Sequence, residues 1–183
     1  MSLRLATFNC RDFFDDAVPN VIGQLDREGF GIWAQRRART LYQRKLEAVA
    51  TVVSRLNADV VAFQEIEGVR VLDDLRALVP HMGYGPAVAG TADARGIALG
   101  VLSRFPIVSS ESHGVGELTF PVFVDGDPRP FVSRLHSKRG VLEVVVTLPD
   151  ESTLVLLVVH LKSARTTRRL DTLGEPSDEV GHY

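Results

Sequence analysis

Three polar residues with complementary chemistry each follow a short apolar run of the sequence. Asn9 follows LATF, Glu65 follows DVVAFQ, and His160 follows LVLLVV. Such runs are typical of strands, and the end of a strand is a place where a rigid sheet can hold side chains in convergent geometry. A carboxylate beside a carboxamide offers oxygen ligands suited to Mg²⁺ or Mn²⁺, and an imidazole can donate a hydrogen bond or a proton to a reacting oxygen. Together they predict metal-assisted attack of water on a phosphate ester.

Each of these residues also has a purely structural interpretation. An asparagine at the end of a strand often forms a turn. Glu65 could pair with Arg70 or Arg95. His160 could face either side of its strand, because successive strand residues alternate between the two faces. The residue types alone leave both interpretations open.

The apolar pattern predicts two helices and seven strands around these residues. The first helix covers 33–57, where apolar residues recur at mostly three- and four-residue spacing, namely Leu41, Leu46, Val49, Val53 and Leu56. The second covers 71–79 and is ended by Pro80. The strands cover 3–8, 59–64, 96–103, 107–112, 130–137, 141–148 and 154–161. Helices alternate with strands early and strands follow strands later, which favours an α/β fold with a mixed sheet.

The composition is that of a globular domain without a disulfide framework. Cys10 is the sole cysteine among 183 residues, which excludes disulfides within the chain and a CxxC zinc site. The net charge of −2 is too balanced for a protein that coats nucleic acid electrostatically, so we interpret the basic residues of the first helix, including Arg44 and Lys45, as its solvated face. No apolar run approaches the roughly 18 residues of a membrane span, and residues 1–9 do not read as a signal peptide; we expect a cytoplasmic protein.

Four stretches of the chain carry motif-like sequences in a set order. Residues 5–15 read LATFNCRDFFD, 57–67 read NADVVAFQEIE, 96–107 read GIALGVLSRFPI, and 158–163 read VVHLKS. In this order they resemble the endonuclease/exonuclease/phosphatase superfamily, whose corresponding segments read TFNVENLFD, ADVVALQEVE, ALLSRYPI and NVHLKS. That superfamily includes DNase I-like nucleases, abasic-site endonucleases, inositol-polyphosphate phosphatases and neutral sphingomyelinases.

The resemblance implies a fold, a cofactor and a reaction. The implied fold is a DNase I-like four-layer α/β/β/α sandwich with mixed, largely antiparallel sheets. Glu65 corresponds to the principal ligand of Mg²⁺ or Mn²⁺, Asn9 lies at the metal and phosphate site, and His160 corresponds to the residue that hydrogen-bonds the scissile phosphate as a general acid. The expected reaction is metal-dependent hydrolysis of a phosphate ester. Nucleic acid is the first choice of substrate, because the opening segment resembles that of bacterial nuclease-like members.

Two later motifs of the superfamily, GDFN and SDH, do not occur in the sequence. They supply the aspartate that orients or activates water and an Asp–His pair at the phosphate. We therefore expect 1–163 to be the N-terminal part of the domain, and 164–183 to be a polar tail leading toward the missing half. The alternatives are a truncated or degenerate member that binds metal, phosphate or a protein partner without turnover, and a retained part of a longer enzyme. Half of such a sandwich would leave the inner face of one sheet exposed, open to a covering partner.

Overall fold

Two α-helices and eleven strands make up the regular structure that a computed structural model describes, over residues 2–15, 31–93, 95–114, 117–118, 135–136, 140–161, 169–170 and 176–177. The helices are α1 (Gly31–Leu56) and α2 (Val69–Leu78), and a single 3₁₀ turn covers Pro80–Met82. The strands are β1 (Leu5–Phe13), β2 (Val60–Ile66), β3 (Val88–Ala89), β4 (Ala98–Ser103), β5 (Ile107–His113), β6 (Glu117–Leu118), β7 (Leu135–His136), β8 (Val141–Thr147), β9 (Thr153–Val158), β10 (Arg169–Leu170) and β11 (Pro176–Ser177).

These strands form two main sheets and two short pairs. The first sheet has the order β1-β2-β4-β3, with β1 parallel to β2 and the other neighbours antiparallel. The second sheet is antiparallel, with the order β5-β8-β9. Both sheets belong to a compact unit of residues 1–114 and 140–160, and the short pairs β6–β7 and β10–β11 belong to a second unit of residues 115–139 and 161–183.

The helices cover one face of the first sheet. In α1 the buried residues Tyr42, Leu46, Val49 and Val53 recur at intervals of four, three and four, which makes one stripe along the helix. The predicted stripe was wrong at Leu41 and at Leu56, which are 55% and 37% exposed. Because each residue advances about 100° around a helix, Leu41 lies off the stripe that its neighbour Tyr42 occupies.

The two main sheets pack face to face through a second core. Alternate residues of β8, namely Leu142, Val144 and Val146, are buried and therefore point to the same side. They share a cluster with residues of the first sheet such as Val60 and Val101. The predicted α/β class with mixed and antiparallel sheets is confirmed, and the described residues contain a layer of helices and two layers of sheet.

The ends of several elements differ from the prediction. β1 continues through Asn9 to Phe13, and β9 ends at Val158, so His160 lies two residues beyond its strand. Most of the predicted strand 130–137, and most of the predicted polar tail 164–183, lie outside the described residues. Among the described helices, none is both long and apolar enough to cross a membrane.

Candidate functional site

Asn9, Glu65 and His160 meet at one end of the two sheets. The Nδ2 atom of Asn9 donates to Oε1 of Glu65 at 3.2 Å, and the same carboxylate oxygen lies 3.2 Å from Nε2 of His160. The Asn9 Nδ2 and His160 Nε2 atoms are 3.5 Å apart. The side chains of His160 and Glu65 are only 13% and 19% exposed. The fold therefore gathers all three predicted residues into one partly buried cluster.

The strand arrangement explains why residues so distant in sequence converge. β1 and β2 are parallel with Asn9 opposite Gln64, so their carboxyl ends lie at the same edge of the first sheet. Gln64 is buried and donates from Nε2 to the Thr7 hydroxyl at 2.9 Å, which ties the two strands together beside the site. His160 comes from the facing sheet, just after Val158, whose side chain is buried between the sheets.

Glu65 reaches the cluster because β2 contains a bulge. Gln64 pairs with Leu99 and Ile66 pairs with Ala98, which leaves Glu65 as an extra residue with a positive φ of 58°. Such a backbone conformation costs an L-residue roughly 1–2 kcal/mol. A bulge redirects the side chain of the extra residue and reverses the alternation that follows it. Ile66 consequently stays in the helix-side core while the carboxylate of Glu65 turns toward Asn9.

A second bulge, in β1, orients Asn9. The pairing jumps from Asn9 opposite Gln64 to Phe13 opposite Ile66, and the intervening residues Arg11 and Asp12 have φ values of 52° and 59°. The backbone N–H of Arg11 donates to Oδ1 of Asn9 at 2.8 Å. Because a backbone N–H can only donate, the amide oxygen must face Arg11 and Nδ2 must face Glu65. This geometry lets Asn9 support the Glu65 carboxylate through Nδ2, while its amide oxygen accepts one hydrogen bond and keeps a second lone pair that could bind a metal.

Glu65 does not pair with Arg70 or Arg95, which was the purely structural interpretation of this residue. Arg70 donates to Asp15 at 2.6 Å, and Arg95 donates to Asp93 at 3.1 Å. Glu65 contacts Asn9 and His160 instead. The carboxylate thus lies among the predicted site residues.

The side chains of the cluster offer ligand atoms that fit a hard cation. Glu65 contributes a carboxylate, and no group of three or more His, Cys, Asp or Glu side chains suited to a metal occurs in the part of the chain that the structure describes. Mg²⁺ is commonly held by one or two carboxylates, with waters and substrate phosphates completing its shell. A site with one carboxylate beside an amide and an imidazole therefore fits Mg²⁺ or Mn²⁺.

Sequence reasoning missed Lys45, which does not simply lie on the solvated face of α1. Its Nζ atom donates to the backbone carbonyl of Arg11 at 2.6 Å. Cys10, the residue next to Arg11, is 4% exposed, and burial raises the pKa of its thiol to about 12. The charge of Lys45 lowers this pKa and the charge of Glu65 raises it, so both charges act on the same part of β1. Helical periodicity alone carries no signal for such a contact.

This geometry defines an α/β protein with a carboxylate, an amide and an imidazole gathered at the ends of strands from two packed sheets. The model of the Endonuclease/Exonuclease/phosphatase family matches residues 6–169, which is most of the chain. The chain belongs to this family, whose members are phosphoesterase-type hydrolases. The resemblance seen in the four motifs is thereby confirmed.

Comparisons with individual proteins add little to the family assignment. No curated protein matches the chain significantly. A solved structure that does match is the beta hairpin deletion mutant of beta toxin from Staphylococcus aureus, with 14% identity and a TM-score of 0.42 over 85% of this chain and 50% of that one. The chain thus spans about half the length of the toxin, and similarity at this level assigns no function.

Proposed function

We propose that this protein hydrolyses phosphate esters with the help of Mg²⁺ or Mn²⁺, and that nucleic-acid phosphodiesters are its substrates. The observation that carries the proposal is the contact of Glu65 with both Asn9 and His160 at 3.2 Å, in a chain of a phosphoesterase-type family. These groups can hold a hard cation and donate to a phosphate oxygen at one point.

Each residue has a distinct role in this proposal. Glu65 would hold the cation, which when bound would stabilise charge on the phosphoryl oxygens. Asn9 keeps the carboxylate of Glu65 in place through its Nδ2 donor. His160 would donate through Nε2 to the phosphate or to the leaving oxygen. General acid catalysis of this kind contributes typically about 10²–10⁴-fold to a rate.

The choice of nucleic acid rests on the resemblance of residues 5–15 to the opening segment of nuclease-like members. The net charge of −2 indicates that contact with nucleic acid would be confined to a site rather than spread over the surface. The same fold carries several phosphate chemistries, so the substrate must be tested directly.

The test is a hydrolysis assay on the full chain with single- and double-stranded DNA oligonucleotides and with bis(p-nitrophenyl) phosphate. Activity should require Mg²⁺ or Mn²⁺ and disappear with EDTA. We expect Glu65→Gln and His160→Ala to lower the rate by at least about 100-fold. The chain offers a matched control, because Glu143 and His113 form a second Glu–His pair at 2.9 Å in the second sheet. Glu143→Gln and His113→Ala should keep the original rate.

The competing proposal is binding of metal or phosphate without turnover. It is favoured by the sequence, which contains neither the GDFN nor the SDH motif of the superfamily. An inactive protein with a Mg²⁺-dependent rise in Tm that Glu65→Gln removes would support it. Full metal-dependent activity in Glu65→Gln would refute the site, and cleavage of the small diester without cleavage of DNA would refute the substrate class.

A further inference from the structure

We infer that Lys45 is a positioning residue, which holds the β1 bulge in the conformation that directs Asn9 toward Glu65. Its effect on catalysis rests on the function proposed above, whereas its effect on Asn9 rests on geometry alone. Lys45 touches neither Glu65 nor His160 by hydrogen bond or ion pair in the described residues, so it acts through the backbone of Arg11.

The ammonium group is delivered by a rigid element. Lys45 lies in α1 between Tyr42 and Leu46, two residues whose side chains are buried in the helix-side core. This packing fixes the part of the helix from which Lys45 extends. Lys45 is itself half-buried, and it donates to the carbonyl of the exposed residue Arg11 at 2.6 Å through a charge-assisted hydrogen bond.

The bulge needs such a contact because its backbone is intrinsically unfavourable. Arg11 and Asp12 both have positive φ, which costs roughly 1–2 kcal/mol for each residue. Two hydrogen bonds to the backbone of Arg11 stabilise the bulge against relaxation, one at its N–H and one at its carbonyl. Asn9 Oδ1 accepts from its N–H, and Lys45 donates to its carbonyl. When the carbonyl is released, only the bond from the Arg11 N–H to Asn9 still opposes relaxation of the bulge, and the direction of the Nδ2 donor toward Glu65 is held less firmly.

The kinetic test compares Lys45→Met and Lys45→Arg with Arg44→Met, which removes a charge from an exposed neighbour on the same helix. In the metal-dependent hydrolysis assay, Lys45→Met should raise the Mg²⁺ concentration for half-maximal rate by about tenfold, as losses of supporting contacts in metal sites do. The KM for substrate should change little, because Lys45 is not proposed to contact substrate. Lys45→Arg should recover most of the loss, and Arg44→Met should match the original protein.

A second readout does not depend on activity. In metal-free protein, Lys45→Met should move the ¹⁵N–¹H signals of the Asn9 side-chain amide, whereas Arg44→Met should leave them in place. If the original protein proves inactive, the proposed function fails while this measurement still tests Lys45. Unmoved Asn9 signals in a folded Lys45→Met variant would overturn the inference, as would equal shifts in Arg44→Met. Should Lys45→Met not fold, Lys45→Gln provides the same comparison.

Discussion

At the scale of single residues, three of the five non-glycine residues with positive φ in the described part of the chain lie at the candidate site. Glu65, Arg11 and Asp12 all have positive φ and lie where β1 and β2 end beside one another. Residues other than glycine are uncommon at positive φ, and those held in this conformation cluster at functional sites. Here the two bulges direct the side chains of Asn9 and Glu65 toward each other. This clustering independently favours the strand ends as the site.

Cys10 provides a test of the environment beside the site. The thiol is buried, and burial raises its pKa from the ordinary value of 9.0 to about 12. Only the thiolate reacts, so at pH 8 we expect its reaction with DTNB to be about 1000-fold slower than in the urea-unfolded chain. Stopped-flow absorbance measures both rates. Rapid labelling of the folded protein at pH 8 would contradict the buried placement of Cys10.

At the scale of elements, a polar cluster at the opposite end of the first sheet joins several segments. Asp59, just before β2, accepts from the backbone N–H of Arg4 at 2.8 Å and from the guanidinium of Arg104 at 3.0 Å. Arg104 also donates to Asn57, which follows α1. The Arg4 hydrogen bond and then the Arg104 interactions lower the pKa of Asp59. The stability that Asp59 contributes is therefore present above its ordinary pKa of 3.8 and is lost as pH falls through the lowered value.

We expect Asp59→Asn to lower the free energy of unfolding at pH 7 by about 1 kcal/mol, because it removes the charge from two hydrogen bonds. In a chain of this size, that corresponds to a Tm lower by about 2–4 °C. The difference should shrink below pH 3.8, where the original protein also loses the charge. Asp73→Asn, which breaks an exposed pair with Arg76, should change the stability by less than about 0.5 kcal/mol. A difference for Asp59→Asn that stays constant down to pH 2 would contradict this account.

At the scale of the whole molecule, the outer face of the second sheet carries exposed apolar side chains. Val155 and Leu157 alternate in β9 with residues of the inter-sheet core, and they are 54% and 63% exposed. Their outward direction follows from the pairing of Val155 with Val145 and of Leu157 with Glu143. The prediction that the inner face of one sheet is exposed was wrong, because the inner faces of the two main sheets pack together in the second core. That a partner covers an exposed sheet face stays a prediction.

The exposure of this face can be tested by substitution. We expect the double variant Val155→Thr and Leu157→Thr to change the free energy of unfolding by less than about 0.5 kcal/mol, since exposed side chains contribute little. Its binding of the dye ANS should fall, because apolar surface is removed. Val144→Thr, at a fully buried position of β8, should instead cost about 1–3 kcal/mol. Urea denaturation measures the free energy of unfolding of both variants. A large loss of stability in the double variant would mean that the outer face of the second sheet is covered.

Local patterns in the sequence predicted both helices, the candidate residues, and six of the seven strands of the two main sheets, all but β3. The helix periodicity predicted α1 and α2 to within two residues at each end. The apolar runs predicted β1 and β2, but both strands continue past their predicted ends and include Asn9 and Glu65. Motif order predicted the family, which the comparison confirmed. These features are readable because helix and strand periods, and the residues that follow a strand, are properties of short segments.

The tertiary structure alone decided how the site is built. The bulges at Glu65 and Arg11 arise from the register between neighbouring strands, and the Lys45 contact arises from the distance between α1 and β1. No local pattern encodes either quantity, because both depend on the packing of segments far apart in the chain. The sequence by itself therefore determined which residues could do chemistry, and only the packed sheets and helix determined that Asn9 donates to Glu65, with His160 at the same carboxylate oxygen.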